Sequence, residues 1–232
     1  AIIGGRVFAA WADWRGEVDG YDAVGRFVDP ALPDLGPDPV RDLVSGPGDQ
    51  IAVAVSGASF GGALAWREGT GESDRLMVTR LDESAAVLDP AGIVVGTPTA
   101  WPALGPVDGG VLVAYAVPDG GQSDVVGRVL AADGTLGPSL PLAGGDGAEA
   151  PSAIGASPPL LVGWTGAYLG TGGLDVIVAP LTSSGAAAGP WTFLATAAQA
   201  QELPAVVATS AGWLAAWSEQ QADTSWDVRV GR

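Results

Sequence analysis

The only plentiful side chains in this sequence that can carry a proton or hold a hard cation at neutral pH are its 26 carboxylates. Three of them recur at similar places. Asp49 precedes Ile51, Glu149 precedes Pro151 and Glu202 precedes Pro204, while Trp101 takes the corresponding place before Pro102. Carboxylates brought together raise one another's pKa or recruit a cation. With oxygen ligands alone, that cation would be calcium. The same trio could serve as the acid and the nucleophile of a glycosidase. A second group, Asp13, Glu17, Asp19 and Asp22, lies within ten residues, another oxygen-rich candidate for calcium that lacks the EF-hand spacing. Asp22 also recurs as a repeat position, which favours a turn-capping role for it. Trp14 and Trp226 are placed in loops, where an indole can stack on a sugar or pack on a neighbouring loop.

What the sequence lacks narrows the chemistry further. It has no His and no Cys, and its ten basic residues are all Arg. Thiol catalysis, disulfides, thiolate or imidazole metal sites, Schiff bases and P-loop phosphate binding are excluded. The net charge of −16 opposes nucleic acid and anionic membrane surfaces. No run of 18 apolar residues suggests membrane insertion. The joint absence of Lys and Asn points to a GC-rich bacterial genome. The expectation drawn from these absences is a chain without catalytic activity.

The elements that must position the acids follow from an internal repeat. Five apolar runs end in an aromatic: Val7 to Trp11, Gly62 to Trp66, Val111 to Tyr115, Leu160 to Trp164 and Trp213 to Trp217. These anchors are 55, 49, 49 and 53 residues apart. After each comes a run opened by an Asp, at Asp22, Asp74, Asp124, Asp175 and Asp227; four of the five copies carry an Arg beyond it. Before three anchors, Pro102, Pro151 and Pro204 each stand 13 residues upstream and introduce a small apolar stretch. A turn and a weaker strand close the unit, clearest at Leu88 to Val95. Gly and Pro together exceed a fifth of the chain, as many short strands with tight turns require.

Each unit thus holds about four short strands, A to D, with no helical period, and units of that size are propeller blades. The expected fold is an all-β, five-bladed β-propeller with one blade incomplete. The approximate repeats are 1–48, 49–99, 100–148, 149–201 and 202–232 in a single domain. A piece of a longer array is the other reading of the ends, and the exposed edges of a partial array favour the ring. The prolines are expected to begin innermost strands, and the closure to be irregular. Either the N-terminal residues pair with the last copy, or an edge is left open to a partner chain.

The motifs "LVAW", an Asp-rich loop, "DV…R" and "DP.GI.V", the last matched by Asp89 to Val95, resemble the degenerate propeller-like repeats of large secreted or surface proteins of bacteria with GC-rich genomes. The resemblance covers nearly the whole chain and implies architecture and a secreted or cell-surface location, not an activity. The leading expectation is a non-catalytic binding module for glycan or protein. A carboxylate-based glycoside hydrolase and a structural assembly subunit, joined through an open blade edge, are the alternatives.

Overall fold

The computed structural model describes residues 1–16, 20–32, 36, 38–69, 74–120, 122–144, 149–155, 160–167, 173–196, 199–209 and 212–231. It is all-β. Blade 1 holds β1 (Ile2–Ile3), β2 (Arg6–Gly16), β3 (Gly20–Val28) and β4 (Arg41–Val44). Blade 2 holds β5 (Gln50–Ala58), β6 (Gly61–Glu68), β7 (Arg75–Leu81) and β8 (Ile93–Gly96). Blade 3 holds β9 (Ala103–Val107), β10 (Gly110–Asp119), β11 (Gln122–Ala131) and β12 (Leu140–Ala143). Blade 4 holds β13 (Glu149–Ile154), β14 (Leu160–Gly166), β15 (Asp175–Leu181) and β16 (Thr192–Ala195). Blade 5 holds β17 (Gln201–Thr209), β18 (Gly212–Gln220) and β19 (Trp226–Gly231).

Each sheet is antiparallel and meanders in chain order, and the five sheets form a five-bladed β-propeller. The first strands pack on one another from blade to blade, β1 on β5, β5 on β9, β9 on β13 and β13 on β17, which puts them innermost. The anchors hold one register position. Trp11, Tyr115, Trp164 and Trp217 lie opposite Val24, Val126, Ile177 and Arg229, each two residues after the Asp that opens the third strand. Trp66 lies opposite Met77.

Anchors of blades 2, 3 and 4 fill the seams between blades. Trp66 packs with Phe8 and Ala23 of blade 1, Tyr115 with Ala65 and Leu76 of blade 2, and Trp164 with Leu112 and Val125 of blade 3. Between blades 4 and 5 the chains approach so closely that a Cβ on Gly155 would fall 2.0 Å from the Trp213 ring. Full burial of side chains this large dominates the stability of the stack.

Two expectations about strand A are corrected. Pro102 does precede β9, but Pro151 and Pro204 lie inside β13 and β17, beside register shifts at Pro151/Ala153 and Glu202/Ala205. A bulge leaves a backbone N–H unpaired, so a residue without one costs nothing there. Blade 2 has the matching irregularity between Ile51 and Ala54. There Ala52 has φ 55° and its counterpart Leu203 has φ 53°, both left-handed. The closure is irregular as expected: among the described residues β1 is two residues long and blade 5 has three strands. The N-terminal residues pair with β2 of their own blade, Ile2 with Val7 and Ile3 with Arg6, and not with the last copy.

Candidate functional site

One end of the blade series collects the starts of the innermost strands and of the third strands. Asp49 stands just before β5, half-buried, and its Oδ1 accepts a hydrogen bond from the Tyr21 backbone N–H at 3.1 Å. Glu202 is the second residue of β17 and is half-buried. Glu149 opens β13; its side chain lies outside the described residues. The three acids share an end but not a rung. The Asp49 carbonyl accepts from Gly69, three residues past its anchor; Glu149 pairs with Gly166, two past; Glu202 pairs with Ser218, one past. They are staggered by about 3.3 Å of strand rise per step.

Two residues at this end escape a reading of charges. Gln50 and Gln201 both lie 16 residues before their anchors and are almost wholly buried, 1% and 0% exposed. Gln50 Nε2 donates to the Gly48 carbonyl at 2.9 Å, and Gln201 Nε2 donates to the Gln199 carbonyl. Among the described residues neither side-chain oxygen has a donor. A buried acceptor without a donor is costly and calls for an explanation. The shared 16-residue spacing was the available sequence signal.

The acidic loop of blade 1 resolves differently. Asp13 and Asp22 face each other across the β2–β3 pair, and Arg15 lies between acids. Its guanidinium is 3.5 Å from Asp13 Oδ2 and 3.7 Å from Asp22 Oδ2, and it also pairs with Asp42. A cation is thus already supplied by the chain. Glu17 and Asp19 lie outside the described residues. Among the described residues no group of three acids could hold a metal ion.

Trp14 and Trp226 belong to strands, not loops, because the hairpins pair further than their composition suggests: Trp14 pairs with Tyr21 and Trp226 with Gln220. Trp14 is 54% exposed and meets the Tyr21 ring edge-on at 5.0 Å. Trp101 is exposed just before β9, and Trp226 is exposed on the outermost strand of blade 5.

Asp89, in the turn motif that closes the second repeat, is structural. Asp89 accepts from Arg80 Nε at 3.0 Å and Nη2 at 2.7 Å, and from the Arg80 backbone N–H at 2.9 Å. The Arg80 hydrogen bond holds the Asp89 carboxyl below the usual carboxylate range. Arg80 also donates to the Ala132 carbonyl at 2.5 Å and so ties blade 2 to blade 3.

A cavity of about 540 Å³ lies at the other end of the innermost strands, lined by residues that include Ile2, Val55, Ala58, Leu104, Pro106 and Ile154. It is an open, mostly apolar hollow that carries none of the acids, so it and the carboxylates lie at opposite ends of the innermost strands.

No family model and no curated protein matches this chain by sequence. Solved structures do match in fold. A subtype N11 neuraminidase-like protein of A/flat-faced bat/Peru/033/2010 (H18N11) aligns at 13% identity and TM-score 0.52, over 78% of this chain and 52% of that one. The chain therefore spans about half the length of that protein, and the likeness concerns the propeller fold. An endo-arabinase from Bacteroides thetaiotaomicron VPI-5482 aligns at 12% identity and TM-score 0.48, over 97% of this chain and 93% of that one. A thermostable family-43 glycoside hydrolase aligns at 10% identity and TM-score 0.48, over 97% and 90%.

The expectation of a chain without catalytic activity is corrected: an endo-arabinase and a family-43 glycoside hydrolase are among the fold matches, and catalysis is not excluded. The inference from missing His, Cys and Lys was too strong, because glycoside hydrolysis needs two carboxyl groups and none of those residues.

Proposed function

We propose that this propeller acts on carbohydrate and cleaves a glycosidic bond with carboxylates at the end where the innermost strands begin. The observation that supports this is the company the acids keep. Asp49 and Glu202 adjoin Gln50 and Gln201, whose buried side-chain oxygens have no donor among the described residues. Sugar hydroxyls are donors of the kind such oxygens take. Glu149 and Glu202, one step apart in register, are the acid and base of this proposal, with Asp49 orienting the substrate. Exposed Trp101 offers a ring face to a sugar. A secreted or cell-surface setting in a bacterium with a GC-rich genome belongs to the same proposal and rests on the repeat motifs and the absence of Lys and Asn.

The test is hydrolysis of a panel of aryl glycosides and soluble polysaccharides by the wild type and by Glu149→Gln, Glu202→Gln and Asp49→Asn. The expected outcome is turnover of at least one substrate, with losses on the order of 100-fold or more in the two Glu variants. Full activity in both Glu variants, or no turnover across the panel, would overturn the proposal.

A further inference from the structure

Blade 5 presents to solvent a face that the other blades bury. Each blade has a receiving face, on which the next blade's anchor side rests. In blade 2 its rungs are Ala63, Ala65, Leu76 and Val78, all 0% exposed. The same rungs in blade 5 are Leu214, Ala216, Val228 and Val230: Val228 lies opposite Ser218, one past the anchor, as Leu76 lies opposite Arg67. Val228 is 75% exposed and Val230 62% exposed, with Val207 of β17 exposed beside them. Among the described residues no strand pairs with the outer edge of β19.

The matching face is present on the same chain. Trp11 of blade 1 holds the anchor position that Trp66, Tyr115 and Trp164 hold in the filled seams. Those three are nearly fully buried, whereas Trp11 is only partly buried, as are Val7 and Ala9 on its side of the sheet. Thus one half of a blade-on-blade seam is uncovered and the other only partly buried, at opposite ends of the blade series.

We propose that a second copy of this chain covers the blade 5 face, its blade 1 seating Trp11 against Val228 and Val230. The contact continues the seam already repeated within the molecule, with the same rungs and the same type of anchor. It is heterologous: one copy's last blade meets the next copy's first blade, so assembly proceeds head to tail and ends in a closed ring or a filament. Each copy carries a charge of −16, so mutual repulsion opposes association and added salt strengthens it.

Sedimentation velocity over a concentration series, at low and high salt, reads the assembly. The wild type is expected to form dimers and larger species that grow with concentration and salt. A Val228→Glu/Val230→Glu variant spoils the receiving face, and an Ala9→Arg variant spoils the anchor side. Each alone is expected to lose self-association, with circular dichroism checking that its sheets are retained. Mixed, they are expected to stop at a one-to-one dimer, because each keeps one intact face. A wild type that stays monomeric throughout overturns the proposal, the more so if Trp11 is buried in that monomer, because blade 1 of the same chain then covers the face. Unchanged assembly in the Val228→Glu/Val230→Glu variant, or no dimer in the mixture, overturns it equally.

Discussion

Leu76 and Val228 stand on the same rung of two blades, one residue past the anchor on the face turned to the next blade. Leu76 is sealed under Tyr115 of blade 3, while Val228 is three-quarters exposed. Both are apolar strand residues in the same repeat motif. The difference is whether another blade follows in contact. Apolar character in a repeat records a capacity for burial; the neighbour supplies the burial, as expected of a stack in which each unit touches only those beside it.

The contrast sets the largest expected effect. Leu76→Ala should cost about 2–5 kcal/mol in chemical denaturation, because it empties a sealed seam. Equal destabilisation by Val228→Ala at dilute, monomeric concentration would break the comparison.

A second pair sharpens it at smaller scale. Arg80 and Asp89 lie at the filled seam, each side chain 18% exposed, whereas Arg229 pairs with Glu219 in blade 5 at 48% and 23% exposure. Asp89→Asn should cost about 1–2 kcal/mol, as loss of charged hydrogen bonds at a half-dry site does. Glu219→Gln should cost less than about 0.5 kcal/mol, as exposed ion pairs contribute little. The pH dependence has a definite sign. The folded Asp89 carboxyl sits below its ordinary value, so its contribution is full above the unfolded pKa of about 4 and is lost as pH falls through the lower, folded value. Melting curves of the wild type and Asp89→Asn should therefore converge in acid and separate near neutrality.

The smallest effect is expected at the open face itself. Val228→Thr should change the monomer's stability by less than about 0.5 kcal/mol, measured by thermal melting at low concentration. A larger loss would mean that Val228 is covered within the monomer.

The repeat was legible because its signals are local: an aromatic that ends an apolar run, an Asp that opens the next strand, and turns between them. The site was less legible. Asp49, Glu149 and Glu202 look equivalent when counted back from the next strand, yet the backbone pairs them three, two and one residues past their anchors. Counted from their anchors they stand 17, 15 and 15 residues upstream, and β5, β13 and β17 each carry one inserted residue, so the offset of Asp49 lies in the sequence while the one-rung difference between Glu149 and Glu202 is set by strand pairing. Gln50 and Gln201 were passed over because an uncharged side chain in a strand start attracts no notice until it is found buried.

By itself, then, the sequence determined the five copies, the strand order within each and the position of the anchors, because hydrophobic period and turn residues act over a few neighbours. It also determined that carboxylates are the plentiful acid–base groups, since His, Cys and Lys are absent. Only the tertiary structure decided that Arg15 sits among Asp13, Asp22 and Asp42, that two Gln side chains are buried where the innermost strands begin, and that Val228 is left uncovered and Trp11 only partly buried. Those outcomes depend on contacts between blades far apart in the chain, and burial is a property of the pair of surfaces, not of either strand's sequence.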